Sequence, residues 1–120
     1  MIQKHVFVVY AGPHEAGRVF HALIHAKQVH GRGDHAELYF AAEGTHWPAM
    51  LAKSDHPMNS LFSEMLESGV ISGACAACAN AFGTADEAKE AVGLVQGPEA
   101  SFGQIDIIGM NDDGYHVWLF

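Results

Sequence analysis

The chain has 120 residues, 49% of them hydrophobic and 17% charged, which fits one compact domain with a core of its own. Six Lys and Arg against fourteen Asp and Glu leave a formal charge of −8, which argues against direct nucleic-acid binding. No apolar run approaches membrane-spanning length, and two cysteines make no disulfide framework. The expected setting is a reducing cytoplasm, with no membrane partner.

The start, MIQKHVFVVYAGP, is too short for a secretory signal, and its HVFVVY run, His5 to Tyr10, predicts a buried strand. Pro13 suits the first turn of a helix, along which Val19, Phe20, Leu23, Ile24 and Lys27 recur at helical spacing until HGRGD ends the pattern at Gly31. AELYFAA, Ala36 to Ala42, predicts a second strand, followed by the loop EGTHWPAM and a turn of helix. Met58, Leu61, Phe62, Met65 and Leu66 then form one helical stripe, closed by Gly69.

VISGA predicts a third strand that runs into the cysteines. ACANAF reads as a short helix and TADEAKEAV as another, with Thr84 as N-cap and Glu87 three residues on. In the last quarter two signals compete. QIDIIGM has the β-branched residues of a strand, but Ser101 and Gln104 stand at capping-box spacing and Ile105 and Ile108 share a helical face. The capping signal predicts a helix over Phe102 to Asp112, with YHVWLF, Tyr115 to Phe120, as the last strand. Strands alternating with helices in this way predict a single domain over residues 1–120. Its class is α/β, a flavodoxin-like three-layer sandwich with a mainly parallel sheet of about five strands.

In such sheets reactive groups collect beyond the carboxyl ends of the strands. The loops expected there carry His14, then Glu43, His46 and Trp47, then Cys75 and Cys78. Cys75, where strand passes into helix, is placed to face free backbone N–H groups, which favour the nucleophilic thiolate. Cys78 is one turn further on, as a resolving thiol. Ala74, Ala76, Ala77 and Ala79 predict an open, solute-accessible site, with His14 or His46 assisting proton transfer.

Other readings stand beside this one. The cysteines are also what two small buried hydrophobes would look like. A zinc site of Cys75, Cys78 and His14 or His46 has no second ligand pair at the usual spacing, so no metal and no cofactor is assigned. A thioredoxin-like dithiol would have only Pro48 as its loop proline. His21, His25 and His30 read as a polar helix face, Asp86, Glu87 and Glu90 as a solvated one, and GRGD and NDDG as turns. AGPHEAG lacks dinucleotide-loop spacing. In a purely structural role, Trp47, Met50, Leu51, Met58 and Phe62 would serve a subunit interface, or else pack in the core or at an edge, the favoured reading for Phe62 and Met65.

The segments HVFVVYAGP, AELYFAAEG, SGVISGACAACANAFG and GYHVWLF resemble the DsrE/DsrF-like family, which includes the TusD-type sulfur-relay proteins, over nearly the whole chain. The most specific part is a strand followed by C-x-x-x-A and a glycine eight residues after the cysteine, here Cys75, Ala79 and Gly83. The resemblance implies a flavodoxin-like fold, a homotrimer or homohexamer, and a persulfide on the residue matching Cys75. It also implies a sulfur donor and acceptor as partners, either proteins or small sulfane-sulfur compounds. Relay members often lack a thiol at the position of Cys78, and some carry basic residues where this chain has Asn80, Ala81 and Phe82. A thiol at that position would attack a Cys75 persulfide and release sulfide, which favours reductive release or a redox role over storage. The expected function is a sulfur-handling protein, a persulfide carrier or sulfurtransferase-like subunit. The alternative is an oligomeric scaffold without cysteine chemistry.

Overall fold

The computed structural model describes residues 1–120. Its strands are β1 (Lys4–Val9), β2 (His35–Phe40), β3 (Ile71–Cys75), β4 (Leu94–Val95) and β5 (Tyr115–Leu119). The helices are α1 (Ala16–Gly31), α2 (Trp47–Leu51), α3 (Asn59–Glu67), α4 (Ala76–Ala81), α5 (Ala85–Val92) and α6 (Ile107–Asp112), with 3-10 turns at Ala42–His46 and Glu99–Ser101. Every strand pairing is parallel, and the order across the sheet is β4-β3-β2-β1-β5. This is the expected α/β, flavodoxin-like sandwich.

The order of strands makes the two faces unequal. From β1 to β4 the chain steps in one direction, and right-handed crossovers stack the connecting helices on one face. The return from β4 to β5 reverses direction, so the other face is covered mainly by residues 96–112, with Ala77 and Cys78 of α4 at its edge. Phe7, Val9, Leu38 and Phe40 enter a 20-residue core with Val19 and Leu23 of α1, Trp47 and Leu51 of α2, and Phe62 and Met65 of α3. Val6 and Val8 point the opposite way and join Ala41, Cys75 and Cys78 in a five-residue cluster against Ile105, Ile107 and Met110. The period of two along β1 thus sorts one apolar run into both layers.

Several local expectations are corrected. α1 begins at Ala16, because Pro13 and His14 form a turn whose Gly12 N–H donates to the Glu15 carboxylate at 2.9 Å. The buried stripe of α1 is Val19, Ala22, Leu23, Ala26 and Val29; Phe20 and Lys27 face outward, and Lys27 pairs with Glu64 at 3.0 Å. On α3, Leu66 likewise turns to solvent. Thr84 holds the N-cap position of α5 as expected, but its side chain makes no capping bond; the hydroxyl donates to Thr45 Oγ1 at 2.9 Å instead.

The helix expected over Phe102 to Asp112 is confined to Ile107–Asp112 and starts at Asp106, whose carboxylate accepts the Gly109 N–H at 2.9 Å. Its intended first turn is broken by left-handed backbone at Phe102 (φ 58°) and Gly103 (φ 78°). β4 was not expected at all, since two residues carry no readable period.

Candidate functional site

β3 reaches the carboxyl edge of the sheet through Gly73, whose φ of 141° and lack of a side chain let Val95 of β4 pack against it. The next residues are Ala74 and Cys75. Cys75 is still extended (φ −61°, ψ 119°), and α4 starts immediately after it. Its thiol therefore points off the strand into the thinner core layer, and one helical turn places Cys78 in the same cluster.

Both cysteines are free and both are buried, Cys75 at 0% and Cys78 at 7% exposure. The expectation of an open, solute-accessible site is thereby corrected. The cover is the thin layer itself. Gln104 Oε1 accepts from the Cys78 thiol at 3.0 Å and lies 3.7 Å from the Cys75 sulfur, which also lies 3.8 Å from the Gly103 carbonyl oxygen. One side-chain amide thus bridges the pair. A primary amide can serve either protonation state, its oxygen accepting from a thiol and its NH₂ donating to a thiolate after a half-turn.

The covering loop is tied to itself, with Gly97 N–H donating to Gly103 O at 3.1 Å and Gly103 N–H to Pro98 O at 2.9 Å. The alanines do not open the site: Ala74 and Ala79 are fully buried packing residues.

Burial pushes the Cys78 thiol up from its ordinary range and the neighbouring Cys75 thiol adds to the rise, while a hydrogen bond from the Ala42 backbone opposes it. Ala42 is one of two non-glycine residues with positive φ, at 49°. The 3-10 turn that holds it presses against β1 so closely that a Cβ on Gly44 would overlap the Val9 carbonyl oxygen. Tyr10, at the end of β1, also borders the pair. Burial raises its phenol, and charge on Cys78 and Cys75 does the same.

The histidines do not complete the site. His14 is exposed on its turn, and His46 rests edge-on against Phe82, with centroids 5.9 Å apart. Neither hydrogen-bonds to a thiol. No three His, Cys, Asp or Glu side chains converge as a metal site. Trp47 is not a rim residue: it is buried, and its indole N–H is shared between the Ala11 and Gly12 carbonyls at 3.1 Å each. Leu51, Met58 and Phe62 also belong to the main core and are not free to form a subunit interface. Pro48 is buried in the first turn of α2.

Gln104, Tyr10 and the Ala42 backbone were missed by sequence reasoning. In the sequence Gln104 has the spacing of a helix cap and Tyr10 the place of a strand end, and a left-handed alanine leaves no mark. A second polar cluster lies on the same face of the sheet. Glu37 accepts hydrogen bonds from Tyr39 (2.6 Å) and Tyr115 (2.5 Å) and contacts His35 Nε2 at 2.7 Å. Burial alone would raise this carboxyl, but the bonds to Tyr115, Tyr39 and His35 outweigh it and hold it below the usual range. Its bond to Glu37 is the main reason Tyr115 is pushed up to about 12.

Fold and site together define a parallel α/β domain with a covered cysteine pair at the carboxyl edge of its sheet. Over 99 residues, 82% of this chain and 77% of the relative, it is 26% identical to the uncharacterised protein MJ0733 of Methanocaldococcus jannaschii. No family model and no solved structure matches the chain.

Proposed function

We propose that the protein handles sulfane sulfur through its two thiols, as a persulfide carrier or sulfurtransferase-like subunit of the DsrE/DsrF-like kind. The observation that carries this reading is the bridging of Cys75 and Cys78 by Gln104 at the carboxyl end of β3, a dithiol with its own hydrogen-bonding amide. The covering loop must move before a donor can enter.

In the uncovered site the Cys75 thiolate attacks the outer sulfur of a donor persulfide, R–S–SH. The Cys75 S–S bond forms, the donor S–S bond breaks, and the donor leaves as R–S⁻, which takes up the proton Cys75 gave up. Cys78 then attacks Cys75 Sγ, forming a Cys75–Cys78 disulfide and expelling HS⁻. The sulfane sulfur gains the two electrons that the thiol pair loses, so a thiol reductant is needed to reset the site. His14 and His46, on flanking loops, accept protons only in the uncovered state. A reducing cytoplasm suits this cycle, and no helix is long and apolar enough to cross a membrane.

Intact mass after treatment with a polysulfide donor tests the proposal. Cys78→Ser should gain about 32 Da, one trapped sulfur, and wild type should lose about 2 Da as sulfide appears. No adduct on Cys78→Ser and no disulfide in wild type would sink it.

The complete burial of Cys75 favours a second reading, a homo-oligomeric scaffold with inert thiols. In that case native alkylation would proceed only as fast as the whole domain unfolds.

A further inference from the structure

Between α1 and the edge strand β5, on the face away from the cysteines, lies a half-open groove of about 300 Å³. One wall is aromatic. The parallel register of β1 and β5 sets His5 beside His116 and Phe7 beside Trp118. His5 stacks on His116 at 4.7 Å and lies within 10° of parallel to the Trp118 ring, and Phe120 continues the wall 6.1 Å from Phe7. The Trp118 indole N–H donates to His5 Nδ1 at 3.0 Å, which locks both rings and leaves the neutral imidazole proton on Nε2. Even so, Trp118 remains 48% exposed.

The opposite lip comes from the end of α1 and is polar. Arg32 stands there with one long hydrogen bond, to the Gln28 carbonyl at 3.4 Å, and no carboxylate within ion-pair distance. Asp34, the acidic group that acts on His5, is occupied by the Gln3 N–H at 3.0 Å. An unpaired guanidinium beside a rigid aromatic wall is complementary to one kind of guest.

We propose that this groove binds a small planar aromatic anion, one or two fused rings bearing a carboxylate, with its ring against Trp118 and Phe120 and its anionic group on Arg32. The volume is at the lower end for small-molecule sites, which limits the guest to that size. A second copy of the chain is a poorer occupant. The exposed aliphatic side chains nearest this edge in β5 and α6, Leu119 and Ile108, belong to the opposite face, since Leu119 alternates with Trp118 along β5 and Ile108 sits on α6.

The test is titration of the ¹⁵N-labelled protein with 2-naphthoate, with 2-naphthylmethanol as the neutral counterpart, following the two indole N–H signals. The Trp118 signal should shift saturably while that of buried Trp47 stays in place. Arg32→Gln should weaken naphthoate roughly tenfold or more, as expected for a charge-assisted contact, and change the alcohol less than about twofold. Absence of saturation at millimolar naphthoate, equal affinities for acid and alcohol, or indifference to Arg32→Gln would overturn the proposal. So would a Trp118 signal that moves with protein concentration alone, which would make the groove an interface between copies.

Discussion

Gln104 carries more of the site than any other single side chain. Its amide oxygen is shared by both thiols, and its backbone belongs to the loop that covers them. Gln104→Ala should therefore speed alkylation of Cys78 by iodoacetamide at pH 8 by about tenfold, the scale of one lost hydrogen bond to a buried group. An unchanged rate, measured by peptide mass, would show that the cover is held by the backbone alone. A pH dependence follows from the thiol itself. Burial raises Cys78 in the folded chain, while the unfolded chain releases the same proton at about pH 8.5. The stability this thiol contributes is complete below that pH and is lost as pH rises through the folded value, because the unfolded state then holds fewer protons. Urea midpoints should fall from pH 8 to 10 in wild type and fall less in Cys78→Ala. A parallel decline in both would leave the tyrosines as the alkaline groups. Cysteine spacing was legible in the sequence at this scale, but the amide that joins the thiols was not. Gln104 is 29 residues from Cys75, and only the crossover brings them together.

Among the elements, the 3-10 turn Ala42–His46 shows how close approach constrains sequence. It sits over the end of β1, accepts the Thr45 hydroxyl at Ala42 O at 2.9 Å, and leaves no room for a Cβ at Gly44. Gly44→Ala should destabilise the domain by about 3 kcal/mol or prevent folding, because the clash is with backbone that cannot move without breaking the β1 ladder. A loss below about 1 kcal/mol in urea unfolding would mean the turn can lift away. Element existence was largely readable. Period two in HVFVVY and AELYFAA and period 3.6 in residues 58–66 come from burial on one side or both, and the fold uses them so. The failure at Phe102 to Asp112 has a definite reason. Ser101 and Gln104 have capping-box spacing, but a box needs helical backbone between them, and Phe102 and Gly103 are left-handed. The helix that does form takes Asp106 as its cap.

For the whole molecule, the strand order decides the balance of layers. One face carries α1, α2, α3 and α5, and the other is covered mainly by α6 and the loop before it, with α4 at its edge; on that side Ile108 of α6 and Leu119 of β5 are 68% and 55% exposed. A homotrimer or homohexamer, as the family resemblance implies, would cover this thin face. Sedimentation should then give a particle several times the 12.9 kDa chain, and Ile108→Glu should shift it toward the monomer. A monomer at micromolar concentration would remove that expectation.

The sequence by itself determined the α/β alternation and the position of two thiols at the end of a strand. Those depend on local period and chain order, which one segment can display. Tertiary structure alone decided that the thiols are covered, that Gln104 rather than a histidine attends them, and that Trp47 and its neighbours are core. The first two depend on the segment that the reversed β4-to-β5 crossover lays over the sheet, the third on how α1, α3 and the end of β1 close around α2, and no local pattern encodes either.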